Sequence, residues 1–384
     1  MILMTIFSTF ASWKAIEKMN SKKIQFFDFS RRLEKRRDKY SLALLEILES
    51  GKFILGGAVE AFEFEFSNYL GGGFCVGVAN GSDGLEIAIA ALRLEDGSLI
   101  GTVANAGGYA SIGILKNRMT PIYMDVDIDS RNVKVSEVAR VLDSGAKAII
   151  LTHLYGNLSK EIVEIIDLCR DRGVYVIEDS SQAHGARIKG KMAGRYGDLS
   201  VFSLYPTKNL GALGDAGIVV VNNPEFEAIT RQLRTYGWSE KYNVTIPNGK
   251  NSRLDDFQAA VLSVNLKFLD QDNSARVDVA RNYLSQIKNS KILLPTFDEE
   301  SHVYHLFTIL AGDRVGLMRH MKLQNIESAV HFPLPDYRQK GFSQLGINLA
   351  NTEYLCSNIL SVPCHPELDE ESQARTVRVL NDFS

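Results

Sequence analysis

The residue of this sequence best suited to covalent chemistry is Lys208, which lies between an apolar run and a glycine-rich turn. Residues 199–204 are mainly apolar and predict a buried strand, and three glycines follow the lysine at positions 211, 214 and 217. A lysine in such a place can be desolvated, which lowers its pKa and makes the neutral amine available as a nucleophile. The pattern therefore favours Schiff-base chemistry at Lys208, although a solvated loop lysine would fit the same residues.

A carboxylate that could work with this lysine is Asp179. Residues 173–179 form a second buried-strand pattern, which ends in Glu178 and Asp179. Pyridoxal phosphate requires a lysine for its aldehyde and a carboxylate that keeps its pyridine nitrogen protonated, so that the ring can accept electrons. A carboxylate at a strand end and a lysine on a later loop supply both groups, and together they predict this cofactor.

A third candidate is the glycine-rich turn at residues 80–84, between a predicted strand at 74–79 and a predicted helix that runs to Arg93. Such a turn exposes backbone N–H groups and the positive end of the helix dipole, which favours a phosphate group. An ordinary helix cap at Ser82 or Asp83 would explain the same residues, so both interpretations stay open at this point.

The elements that must position these residues alternate between strand and helix. Further strand patterns occur at residues 99–105, 121–126 and 147–153, and a helical pattern occurs at 162–172. This alternation predicts an α/β fold with a mostly parallel, doubly covered sheet and a site at the carboxyl ends of its strands.

Two departures from this alternation are expected. The connection between residues 204 and 217 is too short for a helical crossover, so the strand at 218–221 should run antiparallel to its neighbours. From about residue 272 the pattern changes to helices and short strands, which indicates a smaller C-terminal α+β domain. The predicted division is 1–23 as an N-terminal extension, 24–270 as the large domain and 271–384 as the small domain.

Composition excludes several classes of function. The 384 residues carry 43 basic and 46 acidic side chains, a net charge of −3, and neither terminus offers a basic stretch for nucleic acid. The four cysteines form neither a CxxC pair nor a zinc-like spacing with histidine, so we predict no metal site and a reduced, cytoplasmic protein. No run reaches the roughly 18 apolar residues that span a bilayer, so no membrane partner is expected.

The first 13 residues are apolar and uncharged, which invites interpretation as a signal peptide. They lack a basic residue before the apolar run and a clear small-residue cleavage site, so this interpretation is disfavoured. We expect residues 1–18 to be an extension or a misplaced start. A shortened chain that begins at Met19 and fails to fold would contradict that expectation.

Two long motifs, at residues 177–186 and 202–217, resemble the DegT/DnrJ/EryC1/StrS family of sugar aminotransferases. The similarity extends from about Ile24 to the C-terminus. It implies the fold of aspartate aminotransferase, known as fold type I, with pyridoxal 5'-phosphate as cofactor. Relatives that act as sugar dehydratases replace the lysine, so the presence of Lys208 indicates transamination.

The resemblance also implies roles for individual residues, with Lys208 and Asp179 as the catalytic pair. Gly81, Ser82, Asp83 and Ser203 would contact the cofactor phosphate. Gln182 would lie near the ring hydroxyl, Tyr109 would stack on the ring, and Asn251 would reach the cofactor of a neighbouring subunit in a homodimer with shared sites. The candidates for substrate contact are Tyr205, His184, Arg253 and His331, of which His184 is more typical of a supporting layer.

Two further positions stay open. His153 ends a predicted strand, where a buried core histidine and a site residue are equally compatible with the pattern. Asp336 lies where relatives often carry histidine, which leaves the details of substrate contact undetermined.

The implied reaction transfers an amino group from an amino acid, by family habit L-glutamate, to a nucleotide-linked keto-sugar. Tyr-Pro before Lys208 and Ala-Leu-Gly-Asp after it are similar to the enzymes that act on 3-oxo sugars, typically linked to dTDP. We therefore predict dTDP-3-oxo-6-deoxyhexose as acceptor and a dTDP-3-amino-3,6-dideoxyhexose as product. A 4-oxo sugar nucleotide or a cyclitol ketone is the alternative acceptor. A non-catalytic regulator that binds pyridoxal phosphate is the alternative of another class.

Overall fold

A seven-stranded sheet forms the centre of the protein, whose computed structural model describes residues 23–342 and 346–384. The expectation for residues 1–18, and nearly all of the predicted extension, lies outside these residues. The strands of this sheet are β1 (Phe74–Val78), β2 (Leu99–Val103), β3 (Thr120–Met124), β4 (Ala148–Thr152), β5 (Tyr175–Asp179), β8 (Leu199–Ser203) and β9 (Gly217–Val221). They lie in the order β1-β9-β8-β5-β4-β2-β3.

Six of these strands point in one direction and β9 points in the other. Strands β8, β5, β4, β2 and β3 pair in parallel, whereas β9 pairs antiparallel with both β8 and β1. The predictions of a mostly parallel sheet and of an antiparallel strand at 218–221 are therefore confirmed. The carboxyl ends of β1, β4, β5 and β8 consequently meet at one edge of the sheet.

Twelve helices are found among the described residues. They are α1 (Phe29–Ser50), α2 (Gly57–Leu70), α3 (Gly81–Ala91), α4 (Tyr109–Lys116), α5 (Val135–Asp143), α6 (Ile162–Asp171), α7 (Glu227–Leu233), α8 (Asp256–Leu266), α9 (Leu269–Gln286), α10 (Arg314–Leu323), α11 (Ala350–Asn358) and α12 (Glu370–Asn381). Short 3-10 turns occur at Leu154–Gly156, Pro224–Phe226, Asp336–Arg338 and Lys340–Phe342. None of the helices in the described ranges is long and apolar enough to cross a membrane.

Helices cover both faces of the large sheet, as predicted. Successive side chains of a strand point to opposite faces. Ile149 and Leu151 of β4 accordingly share a core with helices α5 and α6, whereas Ile150 between them belongs to the core of α3. Helices α2 and α8 pack with Phe202 and Ile218 in a further core.

A smaller antiparallel sheet follows in the C-terminal part. Strands β12 (Ile292–Leu293), β13 (Phe307–Ala311) and β14 (Ile359–Val362) share a core with helices α9, α10 and α12. The predicted division after residue 270 falls in the first turn of α9 and stays a prediction. Two short hairpins had no clear sequence pattern: β6 (Arg187–Ile188) with β7 (Lys191–Met192), and β10 (Trp238–Glu240) with β11 (Asn243–Val244).

Candidate active site

A cavity of about 440 Å³ lies at the edge where the parallel strands end. Most of the predicted site residues line it, although they are far apart in the sequence. Those in its wall are Gly81, Ser82, Tyr109, Asp179, Gln182, Ser203, Tyr205, Lys208 and His331.

The turn after β8 presents Lys208 to this cavity. The backbone N–H of Lys208 donates to the carbonyl oxygen of Tyr205 at 2.8 Å, which closes the turn. A Cβ atom on Gly211 would lie 2.5 Å from the carbonyl oxygen of Pro206, so the returning chain needs a glycine there. The Lys208 amine makes no hydrogen bond or salt bridge to any described residue. Burial lowers the pKa of Lys208 to about 8, while the negative charge of Asp179 acts in the opposite direction.

The two carboxylates at the end of β5 have different surroundings because they face opposite sides of the sheet. Glu178 is buried and accepts hydrogen bonds from the backbone N–H groups of Gly194, Tyr196 and Gly197 at 2.6–2.8 Å. It also accepts from Nε2 of His153 at 3.0 Å. Asp179 lines the cavity and accepts from the backbone N–H of Ser181 at 3.1 Å. Of the pair, only Asp179 is available to a ligand in the cavity.

The start of α3 forms another part of the wall. The Asn80 side chain caps the helix by accepting from the backbone N–H of Asp83 at 2.8 Å. The N–H groups of Gly81 and Ser82 have no acceptor within the helix and lie at its positive end. Gly81 packs closely on Ser203, since a Cβ atom at position 81 would lie 2.7 Å from Cβ of Ser203. This cluster suits a phosphate group.

Gln182 and Tyr109 approach the cavity from different loops. The side-chain oxygen of Gln182 accepts from the backbone N–H of Tyr155 at 2.7 Å, which leaves its NH₂ group as the donor towards the cavity. Tyr109 is half-exposed and its ring meets Phe332 edge-on at 6.4 Å.

Four predicted site residues lie outside the cavity wall. The Asp83 carboxylate forms a salt bridge with Lys250 at 2.6 Å. His184 is fully buried against the ring of Phe202, and burial, with a contribution from Lys208, lowers its pKa to about 3. Asn251 is exposed and Arg253 is half-buried. The roles given to these four residues stay predictions, as do the individual roles of the nine residues in the wall.

The cavity wall also contains residues to which the sequence motifs gave no role. These are Phe27, Asn80, Leu85, Ala106, Thr152, Leu154, Ser181, Thr207, Asp215, His305, Leu306 and Phe332, together with His153, which the pattern left open. The sequence indicated His305 only as a histidine within the apolar strand pattern of residues 303–310, which does not distinguish a site residue from a core residue.

These residues fit pyridoxal phosphate. The wall contains a desolvated amine, a carboxylate and a helix start that suits a phosphate group, and these complement the aldehyde, the ring nitrogen and the phosphate of this cofactor. In addition, Oγ1 of Thr152 and Nδ1 of His153 are buried and have no hydrogen-bond partner among the described residues. Residues 23–342 and 346–384 contain no cluster of three or more histidine, cysteine, aspartate or glutamate side chains that could hold a metal ion.

Comparison with known proteins gives consistent matches over nearly the whole chain. The sequence pattern of the DegT/DnrJ/EryC1/StrS aminotransferase family matches residues 35–381. The dTDP-3-amino-3,6-dideoxy-alpha-D-galactopyranose transaminase of Aneurinibacillus thermoaerophilus is 37% identical over 362 residues, which cover 94% of this chain and 99% of that protein.

Two solved structures are also similar. DesV of S. venezuelae superposes with a TM-score of 0.90 at 30% identity, covering 94% of this chain and 99% of that chain. NtdA of Bacillus subtilis, solved with bound cofactor PMP, superposes with a TM-score of 0.87 at 28% identity, covering 95% and 86%.

Proposed function

Because the chain belongs to the DegT/DnrJ/EryC1/StrS aminotransferase family, we propose that this aminotransferase transfers an amino group from L-glutamate to a nucleotide-linked keto-sugar. The acceptor is a dTDP-3-oxo-6-deoxyhexose and the product is the corresponding dTDP-3-amino-3,6-dideoxyhexose. The observation that carries this proposal is that the desolvated amine of Lys208 and the carboxylate of Asp179 belong to one cavity wall.

The choice of a 3-oxo sugar has two supports. The residues around Lys208, with Tyr205-Pro206 before it and Asp215 after it, resemble enzymes for such sugars. The relative at 37% identity carries the name of a dTDP-3-amino-sugar transaminase. A 4-oxo sugar nucleotide or a cyclitol ketone is the runner-up acceptor.

The cofactor in this proposal is pyridoxal 5'-phosphate. Gly81, Ser82 and Ser203 would hold its phosphate, Asp179 its ring nitrogen and Lys208 its aldehyde. When bound, the cofactor supplies an electron-withdrawing ring that stabilises the charge left on carbon when a proton departs.

The protein's own residues then control protons. The Asp179 carboxylate keeps a proton on the ring nitrogen throughout the reaction. The amine of Lys208, neutral in a large fraction of molecules near pH 8, would take the proton from Cα of the amino donor and deliver it to the C4′ carbon of the cofactor; the reverse transfer would accompany amination of the keto-sugar. The enclosing wall, which includes Phe27, Tyr109 and Phe332, limits the access of water to this exchange.

The protein acts as a homodimer in this proposal, with Asn251 reaching the partner's cofactor. An exposed apolar face of α1 supports association, since Leu42, Leu45 and Leu48 have 63%, 54% and 57% of their surface exposed. We place the enzyme in the cytoplasm, which the four buried free cysteines support.

The test is a direct assay of the purified protein. Incubation with L-glutamate should bleach the yellow holoenzyme, and addition of a dTDP-3-oxo-6-deoxyhexose should restore the colour and give an amine that NMR locates at C3. A 4-oxo sugar and a cyclitol ketone serve as competing acceptors. Amination of neither sugar class, or no response to any amino donor, would refute the proposal.

A further inference from the structure

His305 lies in the cavity wall beside the catalytic lysine but takes no part in the reaction as described so far. It is 4% exposed and lies on the segment that leads into β13. Its Nδ1 faces the side-chain oxygen of Asn209 at 3.0 Å, and its Nε2 makes no hydrogen bond to any residue in the described part of the chain. The question is which of these two nitrogens carries the proton.

The hydrogen bonds behind His305 answer this question. A backbone carbonyl oxygen only accepts, so the atom of Asn273 that faces the carbonyl oxygen of His184 at 2.8 Å is its amide nitrogen. The side-chain oxygen of Asn273 therefore faces Asn209, which donates to it from its amide nitrogen at 2.8 Å. That same nitrogen of Asn209 also donates to the carbonyl oxygen of Val303 at 3.2 Å.

Two backbone carbonyls thus orient both asparagines, and the side-chain oxygen of Asn209 is left for His305. Because that oxygen only accepts, Nδ1 of His305 must donate. Burial, together with the charge of Lys208, lowers the pKa of His305 well below its usual value. The ring is consequently neutral and keeps its proton on Nδ1. Its Nε2 therefore has a free lone pair that can accept a hydrogen bond, on a residue that lines the cavity.

We propose that His305 is a specificity-determining residue whose Nε2 accepts a hydrogen bond from a ring hydroxyl group of the acceptor sugar. This inference rests on the proposed function, since it takes the acceptor to be a keto-sugar. A lone pair needs a partner that brings a proton, so a carbonyl or phosphate oxygen of the substrate cannot occupy this position. The site should therefore favour an acceptor that carries the hydroxyl over the deoxy analogue that lacks it.

A purely structural role is the competing explanation. Asn209 directly follows Lys208, so its bonds to His305, Val303 and Asn273 also fix the backbone beside the catalytic amine. The substitutions must therefore remove the Nε2 lone pair of His305 separately from the hydrogen bond that Nδ1 makes to Asn209. His305→Asn retains an N–H donor close to the position of Nδ1 and removes Nε2. His305→Gln does the reverse, because its side-chain amide reaches the position of Nε2.

The matched control is His320→Asn. His320 lies at the far end of α10, where its Nε2 faces the backbone carbonyl of Val379 at 3.0 Å, and it does not line the cavity.

The first experiment measures kcat and KM of the holoenzymes for a dTDP-3-oxo-6-deoxyhexose and for its 2-deoxy and 4-deoxy analogues. We expect His305→Asn to lower kcat/KM for the hydroxylated sugar by roughly 3- to 15-fold, mainly by raising KM. The analogue that lacks the contacted hydroxyl should have the same kcat/KM with the variant as with the wild type. His305→Gln should recover part of this loss, and His320→Asn should match the wild type. An equal loss on all three sugars would overturn the inference. If the wild type aminates none of them, the proposed function itself fails.

The second experiment does not depend on turnover. Nitrogen-15 NMR of histidine-labelled holoenzyme, with the His305 signals assigned by their loss in His305→Asn, reports which ring nitrogen carries the proton. We expect a neutral ring protonated on Nδ1 from pH 6 to 9. A proton on Nε2, or a charged ring at pH 7, would overturn the inference even if no sugar were accepted.

Discussion

The lowered pKa of Lys208 comes from its burial rather than from its position in a turn. Burial lowers its pKa to about 8, and Asp179 prevents a larger decrease. We expect kcat with L-glutamate to rise with pH and to level off above about pH 8, because only the neutral amine can take up a proton. Lys208→Ala should lower kcat by roughly 10²-fold or more while cofactor still binds noncovalently.

The measurements are a pH–rate profile and, for the variant, cofactor retention after gel filtration. Lys116→Ala, which removes an exposed lysine paired with Glu86, is the control. Full activity of Lys208→Ala would exclude the lysine as the proton carrier.

The same burial predicts an effect on stability in the protein without cofactor. The pKa of Lys208 is about 8 when folded, against an ordinary value of 10.5, so between these pH values the unfolded chain holds a proton that the folded chain has lost. The free energy of unfolding therefore increases as the pH rises from about 8 to 10.5, the ordinary pKa of lysine. Lys208→Met should remove the dependence and stabilise the apoprotein at pH 7 by on the order of 2 kcal/mol. Urea denaturation at pH 7 and pH 10 measures the free energy of unfolding of both apoproteins. An equal pH dependence in the wild type and in Lys208→Met would contradict the prediction.

At the scale of elements, Glu178 joins β5 to the segment that leads into β8. Its carboxylate accepts from three backbone N–H groups and from His153, which lowers the pKa of Glu178 despite its burial. The stability that it confers is present above the ordinary pKa of glutamate and is lost as the pH falls towards the lowered value. Glu178→Gln places an NH₂ group against N–H groups that need an acceptor, so at least one buried donor loses its hydrogen bond. We expect this substitution to destabilise the protein by about 3 kcal/mol.

Denaturation by urea at pH 7 tests this prediction. The control is Glu225→Gln, at an exposed carboxylate. Equal stability of the two variants would show that the backbone donors find other acceptors.

The contact between α3 and β8 gives another prediction at this scale. A Cβ atom at position 81 would lie 2.7 Å from Cβ of Ser203 and 3.0 Å from its Cα, so Gly81→Ala must move the start of α3 away from the strand. We expect cofactor affinity to fall about tenfold, because the N–H groups that are proposed to bind the phosphate move with the helix. Fluorescence titration with pyridoxal phosphate measures this. Gly57→Ala, at the open start of α2, should leave affinity unchanged, and an equal effect of both variants would contradict the explanation.

The elements around the site could be predicted because their patterns are local. The runs at residues 199–204 and 218–221 are short and mainly apolar, and the connection between them is too short for a helix. Both the strands and their antiparallel direction therefore followed from the sequence. The hairpin at residues 187–192 was not predictable in this way, because its strands have only two residues each.

At the scale of the whole molecule, the cavity combines residues that are more than 200 positions apart. Asn80 and Gly81 lie at the start of α3, directly after β1, whereas His305, His331 and Phe332 come from the C-terminal part. The resemblance to a family could indicate His331, but nothing local distinguishes His305 from a core histidine. The role proposed for His305 follows from its bond to Asn209, which Asn273 orients in turn; the fold brings these two asparagines to His305 from 96 and 32 positions away in the sequence.

If the homodimer shares its active sites, two variants that are each nearly inactive should restore activity when they form a mixed dimer. Asn251 is exposed and lies outside the cavity wall of its own chain. If it completes the partner's site, Lys208→Ala and Asn251→Ala should each be weakly active alone, yet a mixed dimer would contain one site with both changes and one site with neither. Random exchange of equal amounts should therefore restore about a quarter of the wild-type sites.

Activity is measured after subunit exchange at low protein concentration. Leu45→Asp, added to both chains, places a charge on the exposed face of α1 and should prevent recovery if that face forms the interface. No recovery in the first mixture, with exchange verified by mass spectrometry, would show that each chain builds its site alone. Recovery requires a complete site made from two chains, because neither chain alone carries both Lys208 and Asn251.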